Sequence, residues 1–282
     1  MANKHTILVT GASSGIGAAC AAKFAAQGFT VYASVRKEKD AEALKKIDNN
    51  IRPLILDVCD SMSIANAYRR ISQEMTENET FSLINNAGAV AMIAPLECVN
   101  IDDARQQLEV NVIGTLAVTQ AFMPLLRQTQ GRVVMVTSLS GRVAFPFWGA
   151  YVASKFALEG MTDALRMETQ GQGIKVSIVE PGPIKTSIWE RSRSRSETSQ
   201  KTFDAQRLQP YEPAISRYLA TVGAPDKNAV SVDCVVQVIE TALRATNPKP
   251  RYRVGQAKIV APLAWLLPSR WMDAILRKQF GL

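Results

Sequence analysis

Histidine is nearly absent from this chain, and its scarcity limits the chemistry that the protein can perform. The only histidine among 282 residues is His5, at the start of the first predicted strand. One imidazole cannot supply two ligands, so a metal site built on histidines is excluded. A Ser-His-Asp triad would depend on His5, and we do not expect one. We therefore predict no metal site and expect other side chains to transfer protons.

Paired cysteines and long hydrophobic runs are lacking as well. The four cysteines are spaced far apart without a CxxC pair, which indicates neither a disulfide framework nor a zinc site. The longest apolar stretch near the C-terminus, 259–268, has ten residues and two prolines, too few to span a bilayer. No apolar run of signal-peptide length precedes the glycine-rich segment that begins at residue 10. We expect a cytoplasmic protein.

The net charge of +8 is concentrated in the last third of the chain. Residues 1–188 have 18 basic and 17 acidic side chains, whereas residues 189–282 have 15 and 8. This excess would suit nucleic acid or an anionic lipid surface, but no aromatic-basic recognition module accompanies it. A solvated basic face is the simpler interpretation, and we predict no nucleic-acid partner.

Short β-branched runs alternate with helix-length segments along the sequence. Seven such runs are predicted strands: 6–10, 30–35, 53–57, 81–86, 132–138, 175–180 and 251–255. Apolar strands with little alternation are typical of a parallel sheet that helices cover on both faces, with right-handed crossovers. The sequence therefore predicts an α/β fold, a single doubly wound Rossmann-type domain over residues 1–282 with about seven strands.

Two segments depart from this rhythm. Prolines bracket a polar stretch at 183–225, which we interpret as an inserted lid. Within it, "RSRSRSETSQK" at 191–201 suggests either RNA association or a mobile, solvated loop, and we expect the loop. A C-terminal helical extension covers 256–282, and an apolar stripe with basic neighbours runs along 265–280. Such a helix can lie on a membrane surface, cover a pocket or pack in an oligomer, and packing is our expectation.

A glycine-rich turn follows the first predicted strand and opens a helix. It reads "TGASSGIG" over 10–17, with the spacing GxxxGxG, which is neither the GxGxxG fingerprint nor a P-loop. Glycines permit a tight strand-to-helix turn and let backbone amides approach a pyrophosphate, which the positive end of the helix dipole also attracts. The turn therefore predicts a dinucleotide-binding site.

Residues at the ends of two further strands indicate which dinucleotide binds. Arg36 ends the second strand, where an acidic residue would bind a ribose 2′-hydroxyl and a basic residue a 2′-phosphate. We therefore favour NADP(H) as the cofactor, with NAD(H) possible and a solvent-facing arginine as the alternative. Asp57 closes the third strand, where its carboxylate either meets the adenine end or caps a turn.

Six segments of the sequence occur in a characteristic order. They are "TGASSGIG" (10–17), "NNAG" (85–88), Asn111, Ser138, "YVASK" (151–155) and "PGPIKT" (181–186). Together they resemble the successive motifs of the short-chain dehydrogenase/reductase family, over about residues 5–186. The segment 140–160 and the extended tail resemble the hydroxysteroid and retinol dehydrogenases of that family.

The resemblance implies an active site with four catalytic residues, Asn111, Ser138, Tyr151 and Lys155. By this likeness Tyr151 is the general acid/base, and Ser138 hydrogen-bonds the carbonyl oxygen of the substrate. Lys155 holds the nicotinamide ribose and lowers the tyrosine pKa, while Asn111 positions a water for proton relay. The family likeness further implies a homodimer or homotetramer.

Cofactor contacts are predicted in the glycine turn, at the strand ends and in the later motifs. Asn86 is implied to support the central strand, and Thr186 to lie near the nicotinamide amide. The predicted cofactor-binding residues are Gly11, Ser13, Ser14, Gly15, Ile16, Gly17, Arg36, Asp57, Val58, Asn85, Ala87, Gly88, Tyr151, Lys155, Pro181, Gly182, Ile184 and Thr186.

Tyr151 and Lys155 are four residues apart, so on a helix they share one face. A free tyrosine titrates near 10, too high for a good base at neutral pH. A cation about 4 Å away at an effective dielectric near 20 contributes on the order of 4 kcal/mol, roughly three pKa units. We therefore expect Lys155 to lower the pKa of Tyr151 toward 7, with burial opposing it.

The residues expected around the pocket are mostly apolar: Met92, Ile93, Phe145, Pro146, Phe147, Trp148 and Ile188. They favour an oxidoreductase of a steroid-like, retinoid-like or lipid-like alcohol and its ketone or aldehyde, although aromatic residues here could also be core. A 3-oxoacyl-thioester reductase and a small-carbonyl reductase are alternatives. A cofactor-sensing binding protein without catalysis is an alternative of another class.

Overall fold

The computed structural model describes residues 5–89, 93–186, 188–200, 203–222 and 228–282. Its seven strands are β1 His5–Val9, β2 Thr30–Val35, β3 Ile51–Ile55, β4 Thr80–Asn85, β5 Arg132–Val136, β6 Lys175–Pro181 and β7 Arg251–Val254. All seven predicted strands are present, with bounds that shift by at most two residues.

Helices connect the strands and complete the chain after β7. They are α1 Gly15–Ala26, α2 Glu38–Lys45, α3 Ser61–Glu74, α4 Ile101–Leu108, α5 Gly114–Gln128, α6 Gly149–Thr169, α7 Ile188–Gln200, α8 Ala205–Leu208, α9 Glu212–Thr221, α10 Val232–Arg244, α11 Ala257–Leu266 and α12 Ser269–Phe280.

The strands form one parallel sheet in the order β3-β2-β1-β4-β5-β6-β7. The chain winds outward from β1 to β3, returns to β4 and continues to β7. The order therefore reverses between β1 and β4, where Val9 lies beside Ile84. In open α/β sheets, ligands bind at such a switch point beyond the carboxyl ends of the strands.

Two apolar clusters cover the two faces of the sheet, as expected for buried parallel strands. Alternate residues of β1 point to opposite faces: Ile7 and Val9 pack with α1 and α10, and Leu8 packs with α3 and α5. On the second face the ring of Phe122 stacks on Phe81 at 5.5 Å between centroids. The single doubly wound domain predicted from the sequence is confirmed.

One described helical stretch, Ile101–Gln128, is long and apolar enough to cross a membrane by length and composition. Core helices of globular domains meet the same criterion. In this fold the α5 part of the stretch packs on the sheet through buried side chains such as Val118, Phe122 and Leu126.

The segment between β6 and α10 contains α7 to α9, and here one prediction was wrong. The arginine-serine segment is not a loop but the body of α7. Ser192 and Ser196 are four residues apart, so they share one helical face, and both are buried. Arg193 on the outer face pairs with Glu197, also four residues away, at 2.8 Å.

Candidate active site

Three of the four predicted catalytic side chains meet at the carboxyl end of the sheet. Tyr151 and Lys155 come from α6, and Ser138 comes from the loop after β5. Ser138 is extended and caps the short helical turn Leu139–Gly141, where its Oγ accepts a hydrogen bond from Ser140 N at 3.1 Å. Ser138 also hydrogen-bonds the phenol of Tyr151. Lys155 lies one turn further along α6, with its Nζ 5.8 Å from the centre of the Tyr151 ring.

The electrostatics of this pair differ from the prediction. Burial raises the pKa of Tyr151, and the hydrogen bond with Ser138 only partly opposes it. Lys155 Nζ donates to the carbonyl of Val136 at 3.2 Å, and burial lowers the pKa of Lys155 to about 8, opposed by the charge of Glu159. The expected lowering of the Tyr151 pKa is therefore wrong for this arrangement, in which desolvation of the phenol is the largest influence and raises the pKa.

Asn111 reaches the same place from a different element. It lies in a π-helical turn, Glu109–Ile113, between α4 and α5, and such turns are frequent at functional sites. Its Oδ1 accepts from Ala89 N at 2.8 Å, and its Nδ2 donates to Ser154 Oγ at 3.0 Å. A Cβ on Gly88 would lie 3.4 Å from Asn111 Oδ1 and 3.9 Å from Lys155 Nζ. The predicted tetrad is thus assembled around one small cleft.

The glycine turn forms a tight cradle before α1. Gly11 and Gly15 have positive φ, +69° and +58°, which favours glycine. A Cβ on Gly17 would lie 2.3 Å from the carbonyl oxygen of Gly11, so no side chain fits there. The side chain of Ser14, the N-cap residue, does not cap α1. Open amides at a helix N-terminus suit a phosphate, so the cradle fits the dinucleotide that the sequence predicted.

Thr10 and the two asparagines after β4 support this cradle in different ways. Thr10 Oγ1 accepts from the amides of Asn86 and Ala87, and Asn86 Nδ2 donates to the carbonyls of Thr10 and Gly11 at 3.0 and 3.1 Å. The side chain of Asn85 points the other way, into the core, where it donates to Thr119 Oγ1 at 2.9 Å. Asn85 was predicted to contact the cofactor, but its side chain is used by the core.

The residues predicted at the adenosine end also lie at the carboxyl ends of their strands. Arg36 follows β2 and is exposed. Asp57 Oδ1 accepts from Cys59 N at 3.0 Å, which is the turn-capping role, and an adenine contact stays a prediction. Val58 is buried, and a Cβ on Gly114 would lie 2.8 Å from its Cγ2, which sets the start of α5 against it.

The motif after β6 closes the cradle from the opposite side. Thr186 Cγ2 lies 3.6 Å from where a Cβ on Gly15 would be, so the two motifs meet over the start of α1. Gly182, which follows Pro181, donates its amide to Val254 O at 3.0 Å. The carbonyl of Ile184 accepts from the indole of Trp189 at 2.8 Å.

Helix α7 contacts the cradle as well, through a residue that the sequence did not single out. Arg191 Nη2 donates to Ser14 Oγ at 3.2 Å, so a side chain of α7 lies beside the glycine turn. Arginine suits an anionic neighbour, but the role of a residue 177 positions from its partner has no local signal in the sequence.

A buried ionic network under α6 was also missed. Glu159, one turn beyond Lys155, accepts from Thr137 Oγ1 at 2.6 Å and pairs with Arg251 Nε at 3.1 Å. Arg251 also pairs with Asp163 and, at 3.2 Å, with the fully buried Glu180. The four-residue spacing of Lys155 and Glu159 on a helix can be seen in the sequence, whereas the ion pair of Glu159 with Arg251 of β7 cannot.

Aromatic rings form the wall opposite this network, as the sequence predicted for part of it. The ring of Trp148 lies edge-on to Tyr151 and to Trp189, each at 5.8 Å between centroids, and its Nε1 donates to Tyr218 Oη at 2.8 Å. The ring of Phe280 of α12 packs against Tyr218, tilted by 36°, with 4.5 Å between centroids. Met92 and the side chain of Ile188, also predicted here, lie outside the described residues.

A bulky residue holds this wall in an unusual backbone conformation. Phe147 has a φ of +67°, which costs energy for a residue other than glycine. Its carbonyl accepts from Ala94 N at 2.9 Å, and its ring lies 6.2 Å from Phe280 and 6.1 Å from Tyr218. The strained turn therefore directs the ring of Phe147 into the wall, one residue before Trp148 and four residues before Tyr151 of α6.

Comparison with known proteins agrees with this geometry. Residues 5–197 match the family described as short chain dehydrogenase. The chain is 35% identical over 279 residues to an NADPH-dependent 3-dehydrocapnine reductase from Ornithobacterium rhinotracheale, covering 96% of each chain. It is 34% identical over 292 residues to human retinol dehydrogenase 5, covering 98% of this chain and 88% of that protein.

A solved structure shares the fold over its whole length. It is a short chain dehydrogenase from Burkholderia cenocepacia in complex with NADP, with a TM-score of 0.75 and 27% identity. The alignment covers 98% of this chain and 99% of that chain.

Proposed function

The chain belongs to the short-chain dehydrogenase family of NAD(P)-dependent enzymes, and we propose that it interconverts an apolar alcohol and its ketone or aldehyde with NADP(H). The observation that carries the proposal is the meeting of Ser138, Tyr151 and Lys155 at the carboxyl end of the sheet, beside the open N-terminus of α1. A proton donor, a cation and a phosphate-binding turn thus lie together in one cleft. A protein that only binds the cofactor would not need this combination.

The side chains of the cleft divide the work of proton transfer. When bound, the nicotinamide dinucleotide supplies or accepts the hydride. Tyr151 exchanges a proton with the substrate oxygen, and Ser138 donates a hydrogen bond to that oxygen. Because burial raises the pKa of Tyr151, the phenol is protonated at neutral pH, which is the form needed to donate a proton in carbonyl reduction. Asn111 links the loop after β4 to α6, because it accepts a hydrogen bond from Ala89 N and donates one to Ser154 Oγ.

NADP(H) is the proposed cofactor because Arg36 ends β2 with an exposed guanidinium. A cation at this strand end suits a 2′-phosphate. The relative from Ornithobacterium is named for NADPH, and the Burkholderia structure contains NADP, which supports the same choice. Arg36→Asp should move the ratio of kcat/KM toward NADH by about tenfold or more, whereas Lys46→Asp, an exposed control, should not. An unchanged ratio in Arg36→Asp would contradict the assignment.

An apolar substrate is proposed because aromatic rings form the wall on one side of Tyr151. Trp148, Trp189, Tyr218 and Phe280 form the wall, and the relative named for retinol supports the same class. The competing substrates are 3-oxoacyl thioesters and small carbonyls. Turnover of NADPH with a panel of steroid, retinoid, long-chain acyl and small ketones separates these possibilities, and we expect the highest kcat/KM for a large apolar ketone or aldehyde.

Tyr151→Phe tests the chemistry itself. Removal of the hydroxyl should lower kcat by about 10² to 10⁴, because general acid catalysis contributes on this scale. NADPH binding, measured by its fluorescence, should persist, and Tyr68→Phe on α3 should keep full turnover. Full turnover by Tyr151→Phe would contradict the proposal. If the unaltered protein binds NADPH but turns over nothing on the panel, the non-catalytic cofactor-sensing alternative is supported instead.

Two further predictions are kept from the sequence as proposals. A homodimer or homotetramer is implied by the family resemblance, and light scattering of the purified protein measures it directly. A cytoplasmic location is also proposed, and fractionation of cells that express the chain tests it.

A further inference from the structure

Exposed large hydrophobic side chains are concentrated near the end of the chain. Of sixteen exposed among the described residues, seven lie between 259 and 282. Five of these seven define what we call the C-terminal apolar face: Ile259, Leu263, Leu266, Trp271 and Ile275. Trp271 is 65% exposed and Leu266 80%. Surfaces of soluble proteins rarely concentrate such residues, so this face is a candidate interaction surface.

Helix α12 has two apolar sides that serve different purposes. Leu276 and Phe280 are buried, and Phe280 packs against Tyr218 in the wall of the active site. Trp271 and Ile275 lie on the opposite side of the helix and are exposed. Packing, which the sequence led us to expect, therefore accounts for the inner side only.

Helix α11 extends the same exposed surface. Ile259, Leu263 and Leu266 follow the three- and four-residue spacing of one helical stripe, and all three are exposed. Trp265 is 71% exposed while the guanidinium of Arg142 lies 4.3 Å from the centre of its ring. A tryptophan held in place while exposed resembles the amphipathic rings found at membrane interfaces.

Basic side chains surround the C-terminal apolar face. Lys258, Arg270, Arg277 and Lys278 are exposed on α11 and α12, against the single acidic Asp273 between 256 and 282. Lys278 is seven residues from Trp271 and so lies on the same side of α12. A second copy of the chain in a two-fold contact would bring these cations against each other, which is unfavourable. An anionic surface would attract these four cations, so this repulsion would not arise.

We propose that the C-terminal apolar face docks on the surface of an anionic phospholipid bilayer. Trp271, Ile275 and Leu266 enter the boundary between headgroups and acyl chains, as the apolar sides of interfacial helices do. The four exposed cations pair with lipid phosphates, each adding to the attraction within a short distance of the surface. The helices lie on the membrane and do not cross it, since α11 and α12 have 10 and 12 residues.

Docking would place the active site next to a reservoir of apolar molecules. The inner side of α12 carries Phe280, which belongs to the wall around Tyr151, while the outer side faces the lipid. This consequence rests on the proposed function, whereas docking itself does not. Binding to vesicles is therefore measured without turnover, so that failure of either proposal is seen separately.

The test is co-sedimentation of the full chain with unilamellar vesicles of phosphatidylcholine containing phosphatidylglycerol, and with phosphatidylcholine alone. We expect binding to the anionic vesicles, weakened by salt, with a blue shift of tryptophan emission. The double variant Arg277→Gln/Lys278→Gln should bind about thirtyfold more weakly, because each basic residue near a charged membrane contributes a factor of about five. Trp271→Ala/Ile275→Ala should also lose binding and the blue shift.

Matched variants separate docking from a general change of the surface. Lys46→Gln/Lys175→Gln removes two exposed cations elsewhere, and Met62→Ala/Met167→Ala removes two exposed apolar side chains, 64% and 62% exposed. Both control variants should bind as the unaltered chain does. Equal binding to both kinds of vesicle, or binding to neither, overturns the proposal. It is likewise overturned if Trp271→Ala/Ile275→Ala dissociates an oligomer without changing vesicle binding.

Discussion

Two groups of residues line the cleft, which we call the floor and the roof, and they differ in chemical character: the first is polar and charged, the second aromatic. The floor, defined here as Thr137, Ser138, Lys155, Glu159 and Arg251, is joined by directional hydrogen bonds and buried ion pairs. The roof, defined as Phe147, Trp148, Trp189, Tyr218 and Phe280, is a set of rings with centroids 4.5 to 6.2 Å apart. Atoms that perform chemistry are fixed by the floor, and the space for a substrate is shaped by the roof.

This difference predicts that residues of the floor tolerate substitution poorly and that residues of the roof tolerate it well. Buried charges lose a large free energy when one partner is removed, so each member of the floor depends on the others. Rings packed without charges tolerate replacement by side chains of similar volume. A change of substrate is therefore expected from substitutions in the roof, whereas substitutions in the floor should damage stability or catalysis whatever the substrate.

The largest effect is expected for Arg251→Ala in the floor. Arg251 is 19% exposed and pairs with Glu159 and Glu180, whose side chains are 4% and 0% exposed. Its removal leaves the buried carboxylate of Glu159 without its ion pair, whereas Glu180 keeps Arg253 at 3.0 Å. Because one buried charge loses its partner, the free energy of unfolding should fall by about 3–5 kcal/mol. Urea unfolding followed by circular dichroism measures this loss.

Arg105→Ala is the matched control for that experiment. Arg105 also pairs with a carboxylate, that of Asp102 at 2.9 Å, but the two side chains are 75% and 84% exposed. An exposed pair contributes little, so unfolding should hardly change. If the two variants lose similar stability, the floor is not held by its buried charges.

The sequence predicted the sheet well because its strands carry strong local signals. Runs such as 132–138 are apolar, short and bounded by turns, and right-handed crossovers then fix their order. The positions of Tyr151 and Lys155 on one helical face follow from their spacing alone. The fold and the shared helical face of Tyr151 and Lys155 could therefore be predicted from the sequence, while the catalytic roles of the tetrad stay predictions.

Three features were not readable, each for a different physical reason. The pair Glu159 and Arg251 joins residues 92 positions apart, and no local pattern specifies such a contact. Asn85 and its neighbour Asn86 look alike in sequence, but successive residues at a strand end point to opposite sides. The pKa of Tyr151 depends on how fully its phenol is desolvated, a property of the assembled cleft rather than of its spacing to Lys155.

A smaller effect, on pH dependence, is expected for Glu159→Gln. Glu159 faces Lys155 on α6, Thr137 just after β5, Glu180 on β6 and Arg251 on β7, and its charge raises the pKa of Lys155 against burial. Without that charge the pKa of Lys155 falls further below about 8. Lys155 then loses its proton earlier as pH rises, so the alkaline limb of kcat should move to lower pH.

The control for this shift is Glu168→Gln, an exposed carboxylate on the same helix. Its pH profile of kcat should match that of the unaltered chain. An alkaline limb that stays in place in Glu159→Gln would mean that the floor sets geometry but not the charge of Lys155.

The smallest effect is expected beside the roof, for Ser196→Ala on α7, the helix that carries the roof residue Trp189. Ser196 is fully buried; its Oγ accepts from Ile93 N at 2.8 Å and donates to Ser192 O at 2.7 Å. Loss of this hydroxyl leaves a buried amide without that partner, which costs about 1–3 kcal/mol locally. Hydrogen exchange at the Ile93 amide should accelerate about tenfold or more, while Ser194→Ala, exposed on the same helix, should not change it. The KM for an apolar substrate should rise because α7 opens more often, but the pH profile of kcat should stay. A shifted pH profile would show that roof and floor are coupled, and the comparison between them would fail.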